Sequence, residues 1–320
     1  MNRDGVSAGG VGSGTLVSLW LDLTESGRQK DTRVTLEDAP SRLLAVVTDS
    51  TADIEPSIAA ENRITVVPLT VTFDAETFPD GQLTQRQFFD RMRSEPQLPT
   101  TSQPPLGAFV EAYERALETA EYVVSVHISS RLSGTFEGAQ QAAKQFPGRV
   151  HVFDSHNLSW GLAWQVMDAA RAAADGMGPD VAMIRLARLR DRVKLLVGLD
   201  SLDNLARGGR IGKVGAFLGS MLNLKVTLTV DMNGEFVPLA RSRGEKAAMR
   251  HTIDWVAEQM GSATKGRFAI GHALEPEHAA YLAEEIGKRW DATELVIYEA
   301  GSVIATHTGT GWGVAVVPGE

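Results

Sequence analysis

A chain of 320 residues is long enough for two domains of ordinary size, and its 43% hydrophobic and 22% charged residues exclude a largely disordered polymer. The net charge of −9 argues against general nucleic-acid binding, which draws its affinity from neutralised phosphates, and the lack of cysteine excludes disulfides, thiolate chemistry and Cys-ligated metal. No run approaches the ~18 apolar residues of a membrane span, and Asp22 interrupts the apolar stretch 16–23 where a secretory signal needs continuity, so a cytoplasmic protein with at most transient membrane contact is expected.

Residues 1–40 scatter Gly5, Gly9, Gly10, Gly12 and Gly14 among polar neighbours and read as a flexible extension, with 16–23 a candidate edge strand. From Arg42 onward the pattern alternates. A buried strand is expected over 43–47, a helix over 54–62, a β-branched strand over 65–73, and amphipathic helices over 84–94 and 106–120. Strand 122–128, helix 134–145, strand 149–153 and a long helix over 158–174 follow. Gly176, Gly178 and Pro179 break that helix, another runs to about Arg192, and a strand covers 194–199. Apolar strands alternating with helices predict a largely parallel α/β sheet with helices on both faces.

Beyond residue 200 the texture changes. A Gly/Arg segment precedes a helix over 214–222, and strands 226–231 and 235–240 flank Met232-Asn233-Gly234, a hairpin signal. Helix 245–260, strand 267–272, helix 276–290 and strands 294–299 and 302–306 complete a second, smaller mixed α/β domain. The expected division is an extension over 1–40, one domain over 41–200 and another over 201–318, with a ligand between the two domains.

The chemistry concentrates at loop positions. Thr48-Asp49-Ser50-Thr51, Ser129-Ser130-Arg131-Leu132-Ser133-Gly134-Thr135 and Asp154-Ser155 each end a strand and begin a helix, and Thr100-Thr101-Ser102-Gln103-Pro104-Pro105 introduces another. Any one of them reads simply as an N-cap. Together, with at least three on one edge of a parallel sheet, they describe a crevice of neutral donors and helix N-termini suited to an anion. The second half adds Arg207-Gly208-Gly209-Arg210, where backbone can approach a ligand while a guanidinium forks onto it, and Arg241-Ser242-Arg243 between a strand and a helix. His307-Thr308-Gly309-Thr310-Gly311 places an imidazole on a glycine-rich loop after a strand. The run Arg185, Arg188, Arg190, Arg192 and Lys194 reads as a solvated helix face. No nucleophile elbow, Walker A, Gly-x-Gly-x-x-Gly or His-Glu-x-x-His pattern occurs, so neither a cofactor nor a metal is expected.

These motifs resemble the DegV family of bacterial fatty-acid-binding proteins. The likeness runs in order through Val47-Thr48-Asp49-Ser50-Thr51-Ala52-Asp53, Val67-Pro68-Leu69, Phe78-Pro79-Asp80-Gly81, Thr101-Ser102-Gln103-Pro104 and Leu132-Ser133-Gly134-Thr135. It continues through Asp154-Ser155, Gly208-Gly209-Arg210-Ile211, Leu222-Asn223-Leu224-Lys225 and His307-Thr308-Gly309, and covers about residues 43–317. Thr310, Trp312 and Val226 depart from the pattern, and Trp312 is expected to reshape the pocket near His307. The resemblance implies a carrier that holds one long-chain fatty acid, its carboxylate met by Thr101 or Ser102, Ser133 and His307, with Arg210 nearby. It implies further that a separate ATP-dependent fatty-acid kinase subunit phosphorylates the presented carboxylate, with Arg243 coupling the two proteins. The apolar residues of 217–224 are candidates for the wall of the lipid tunnel.

Other readings stay open at this point. Ser133 with His307 as base would make a hydrolase, although no orienting carboxylate is identifiable. A small carbonyl-binding protein is a second, since the substrate-binding subunit of dihydroxyacetone kinase is similar in fold to the DegV family. A DNA-binding regulator is disfavoured by charge.

Overall fold

The structure, a computed structural model, describes residues 42–217 and 224–319. The extension over 1–40 with its candidate strand 16–23, the latter part of the helix expected over 214–222, and most of the candidate wall 217–224 lie outside the described residues.

The chain opens with β1 (Arg42–Asp49), a 3-10 turn (Ser50–Ala52), α1 (Pro56–Glu61), β2 (Ile64–Val67), β3 (Thr70–Phe73) and β4 (Glu76–Pro79). Then come α2 (Gln85–Ser94), β5 (Thr100–Ser102), α3 (Leu106–Leu117), β6 (Ala120–His127), α4 (Thr135–Ala143) and β7 (Val150–Asp154). Helices α5 (Ser159–Ala174) and α6 (Pro179–Arg192) lead to β8 (Lys194–Leu199), α7 (Asp203–Arg207) and a 3-10 segment (Gly212–Phe217). The remainder is β9 (Leu224–Val230), β10 (Phe236–Arg243), α8 (Glu245–Met260), β11 (Lys265–Ala273), α9 (Pro276–Arg289), β12 (Asp291–Glu299), α10 (Ser302–Thr308) and β13 (Gly311–Pro318).

A four-stranded parallel sheet has the order β2-β1-β6-β7. Both faces of its strands are covered, as continuous burial from Leu44 to Asp49 requires. On β1, Ala45 and Val47 pack against α3 and α4 through Phe109, Ala112, Tyr113 and Ala139, while Leu44 and Val46 face α5. A second, six-stranded mixed sheet has the order β10-β9-β8-β13-β11-β12, parallel only between β11 and β12. Its strand β8 lies at the centre between β9 and β13, although in sequence it follows directly on the helices of the first sheet. Helices α8 and α9 cover one face through Met249, Ile253, Val256, Leu282 and Ile286. The other face meets α5, which therefore lies between two sheets and is buried nearly all round, Trp160 and Trp164 included. A small antiparallel sheet, β4-β3-β5, completes the fold.

The fold class matches the sequence expectation, with four corrections. The strand expected over 65–73 is two strands, because Pro68 lacks the N–H a continuous ladder needs. The strand expected over 302–306 is the helix α10, so His307 lies in a last helical turn and not on a loop after a strand. Arg241-Ser242-Arg243 does not follow a strand but is the end of β10, paired to β9 through Arg243↔Leu224. Three of the four arginines of α6 are engaged, and only Arg188 is exposed as expected: Arg185 bonds Asp168, Arg190 donates to the Asp154 carbonyl and covers Phe153, and Arg192 donates to the Pro318 carbonyl. Beyond these, β4 and β5 are strands the sequence pattern did not signal.

Candidate functional site

In the parallel sheet β2 lies on one side of β1 and β6 on the other, so the strand order reverses at β1. Outside the carboxyl ends at such a point a crevice opens. Here the two rims are the Asp49–Thr51 turn after β1 and the Ile128–Gly134 loop after β6. A pocket of about 40 Å³ lies against them, lined by Thr51, Ile128, Leu132 and Ser133. From the rest of the chain Thr101, Arg210 and His307 complete its polar wall, and Leu69, Leu158, Phe236 and Ile304 its apolar one.

Thr101 and His307 meet directly, Oγ1 to Nε2 at 2.8 Å, joining β5 to α10 across the pocket. The other ring nitrogen, Nδ1, is buried with no hydrogen-bond partner among the described residues. A side chain on Gly208 would begin 2.3 Å from Nδ1, so only glycine lets the ring sit there. Burial first, and then the Arg210 charge, press the His307 imidazolium down to about 4, and the ring is neutral near pH 7. Arg210 itself is exposed at the rim and held by carbonyls, Nε to Leu132 O at 3.2 Å and Nη1 to Gly208 O at 2.7 Å. It has no carboxylate partner among the described residues, so its charge stays available. The Ser133 hydroxyl lies 2.8 Å from that of Thr135 and accepts from the Thr135 N–H at 3.3 Å, which makes it a cap of α4 as well as a lining group.

Behind Leu158, Ile304 and Thr308, which line both spaces, lies a second chamber of about 30 Å³. Gly271, Ala273, Ala300, Gly311 and Gly313 line it, and lack of side-chain bulk is what leaves the space. The arrangement can hold an anionic group between two hydroxyls, a neutral imidazole and a guanidinium, with an apolar body extending inward.

Not every expected residue converges. Ser102 is exposed and lines neither space. Arg243 is exposed seven residues along β10 from Phe236, roughly 23 Å at the rise of a strand. Trp312 lines the inner chamber and not the pocket beside His307. It shares a face of the sheet with Gly198, donates Nε1–H to Thr252 Oγ1 at 3.0 Å and packs edge-on to His278, inside the α8–α9 core.

Two groups of residues escaped prediction. The first fixes α10. Its own N-cap, Gly301, has no side chain to cap with; instead Gly301 N–H donates to Asp53 Oδ1 at 3.0 Å and Val303 N–H to Asp80 Oδ1 at 3.2 Å. Both aspartates stand in motifs visible in the sequence, but nothing there pairs them with residue 301. Burial, opposed by the Ser159 hydrogen bond and reinforced by Asp80, pushes the Asp53 carboxyl up to about 8. The second is a relay under the sheet. In the tautomer with Nδ1–H donating to Asp49 Oδ2 at 2.9 Å, His127 Nε2 accepts from Ser125 at 2.6 Å, and Tyr113 lies 2.9 Å from Ser125. It has the order of a Ser-His-Asp triad, yet Ser125, His127 and Asp49 are each 0% exposed, so no substrate reaches them. Its outlet is Thr51, whose N–H and hydroxyl both donate to Asp49 Oδ1, at 3.0 and 2.5 Å.

Fold and site together define an α/β protein of one parallel, one mixed and one small antiparallel sheet, with a polar-rimmed pocket backed by an apolar chamber. The chain belongs to the DegV family: the profile described as "Uncharacterised protein, DegV family" matches residues 43–319. It is 37% identical over 281 residues to a DegV domain-containing protein of Deinococcus radiodurans, covering 86% of this chain and 98% of that one. To the DegV domain-containing protein YejH of Lactococcus lactis it is 34% identical over 279 residues, with 85% and 98% covered. Among solved structures, the fatty acid binding DegV family protein from Thermus thermophilus superposes with a TM-score of 0.83 at 34% identity, covering 87% of this chain and 99% of that one. DegV, a fatty acid binding protein from Bacillus subtilis, gives 0.79 at 32% identity, with 87% and 100% covered. No group of three metal-ligating side chains occurs among the described residues, and no helix among them is long and apolar enough to cross a membrane.

Proposed function

We propose that this protein binds a long-chain fatty acid, its carboxylate held by Thr101, Ser133, His307 and Arg210 and its tail directed into the apolar chamber. The observation that bears this reading is the Thr101–His307 contact at 2.8 Å beside Ser133 and an Arg210 with no carboxylate partner among the described residues. A neutral His307 donates or accepts without adding charge, and Arg210 supplies the one cation a carboxylate needs. The fatty acid binding of the Thermus thermophilus and Bacillus subtilis relatives supports the ligand class.

Affinity on this reading comes chiefly from the tail. Burying roughly 14 methylenes at ~0.8 kcal/mol each sets a ceiling of about 11 kcal/mol, and a ligand of this size realises ~0.3 kcal/mol per heavy atom, or roughly 5–6 kcal/mol. The head group sets orientation. Entry of a chain parts Leu158, Ile304 and Thr308, because volumes of about 30 and 40 Å³ hold only a few waters. The protein acts as a carrier: it presents the carboxylate at the Arg210 rim to a separate ATP-dependent kinase, which forms the acyl-phosphate. A Ser133–His307 hydrolase finds no support, since His307 bonds Thr101 and among the described residues no carboxylate orients its Nδ1.

The test is Ser133→Ala combined with His307→Ala. Hydrogen bonds to a charged group are worth ~1.5–3 kcal/mol each, so affinity in a fluorescent fatty-acid displacement assay falls tenfold or more. Unaltered affinity would remove both residues from the site.

A further inference from the structure

The inner chamber has a far wall, and it is one side chain. Tyr298 on β12 lines the chamber and also lines a broad outer groove of about 840 Å³ that lies beside Asp53 and Asp80. Ala300 and His272 are the other residues common to both spaces, so these three separate them. Of the three, only Tyr298 puts a bulky group across the gap. Its ring lies over Gly271, its partner on β11, where a Cβ would stand 2.4 Å from Cζ, and its hydroxyl reaches over Gly313 on β13. His272 pairs with Trp312 and so shares the opposite face of the sheet.

The ring is clamped in place. Ser159 Oγ–H donates to Asp53 Oδ2 at 2.6 Å, which leaves Tyr298 Oη–H to donate to Ser159 Oγ at 2.8 Å. Trp160 packs against the ring at 5.8 Å between centroids. Ser159 and Asp53 both hold left-handed backbone, at φ 48° and 52°. Non-glycine residues keep that conformation only where surrounding contacts enforce it, and such strain collects at functional positions. The anchoring hydroxyls spend their protons on each other and on Asp53, leaving the ring face to the chamber.

We propose that Tyr298 is the residue that limits acyl-chain length, by closing the end of the chamber against the outer groove. This rests on the fatty-acid reading above and deepens it. Chains that end before the ring are wholly buried; longer ones have to leave methylenes uncovered or displace a side chain held by two hydrogen bonds in series. Removing the ring joins chamber to groove and gives the tail a way through.

The experiment offers delipidated full-length protein a ladder of saturated fatty acids of increasing length in one mixture, and quantifies the bound acids by mass spectrometry after denaturation. Wild-type protein shows a cut-off length. Tyr298→Ala moves the cut-off to longer acids, the ratio of longer to shorter acid rising about tenfold for every two methylenes newly buried. Tyr298→Leu, which keeps an apolar side chain in the core, moves it less. Leu295→Ala, at an exposed position of the same strand outside both spaces, leaves the profile as it is. A wild-type profile in both Tyr298 variants, with fatty acid still bound, overturns the assignment of Tyr298 alone. Wild-type protein that takes up no acid from the ladder overturns the fatty-acid reading and this inference with it.

Discussion

Burial titrates His307 and Asp53 in opposite directions, and their signs can be separated. His307 falls from 6.5 to about 4, so unfolding takes up a proton between those values and stability drops as pH falls through them. Asp53 rises from 3.8 to about 8, so its contribution is complete below pH 3.8 and is lost as pH climbs to 8. Between about pH 4 and 6.5 the two slopes oppose; above 6.5 only that of Asp53 remains. Thermal midpoints should therefore decline from pH 6.5 to 8, and Asp53→Asn should flatten that decline. His307→Gln should expose a fall between pH 4 and 6.5 that wild type masks. A midpoint profile unchanged by either substitution would show that these groups titrate normally. At this scale much of the site could be read in the sequence. Thr101, Ser133, Arg210 and His307 stand in hydroxyl-rich or glycine-flanked stretches of sequence whose composition is a local signal. Tyr298 could not be read, because its meaning depends on Gly271, Ser159 and Asp53, which chain order keeps far apart.

Helix α10 shows why one element was misread while its neighbours were not. Ser302-Val303-Ile304-Ala305-Thr306 is β-branched and lacks a capping residue of its own, which is a strand pattern. The carboxyl groups of Asp53 and Asp80 supply the missing caps from distant elements, and tertiary contact overrides propensity. By contrast α2 carries its own capping box, Thr84 with Gln87, and was legible. The other end of α10 depends on α7, since His307 fits only over a bare Gly208. Gly208→Ala should drive the ring off Thr101 and lower fatty-acid affinity in the displacement assay by about tenfold, the worth of one hydrogen bond to a charged group. Retained affinity would mean that the ring relocates without cost and that its contact with Thr101 does not matter.

Across the whole molecule, α5 is the common core. It seals one face of each sheet, and its first residue, Ser159, with Leu158 just before it, lines the chamber between them. The alternation of strands and helices made the parallel sheet readable, but the membership of β8 in the second sheet was not, since both its antiparallel partners, β9 and β13, come later in the chain, beyond the change of texture near residue 200. The same geometry divides the two arginines. Arg210 touches the pocket rim, whereas Arg243 stands roughly 23 Å from Phe236 along β10. On the proposed reading, coupling by Arg243 would run through contact with a partner and not through charge at the carboxylate. Arg243→Ala should keep normal fatty-acid occupancy and lose most acyl-phosphate production with a cognate kinase and ATP, while Arg210→Ala should lower both. Full phosphorylation with Arg243→Ala would leave Arg210 as the cation to test.

The central claim, that the pocket and chamber hold one fatty acid by its carboxylate, is tested most directly by native mass spectrometry of the purified protein. The account predicts an adduct of fatty-acid mass at one per chain, lost on denaturation and strongly depleted in the Ser133→Ala, His307→Ala double variant. A protein that stays at its bare mass after incubation with fatty acids, or whose adduct is as abundant in the double variant, would contradict it.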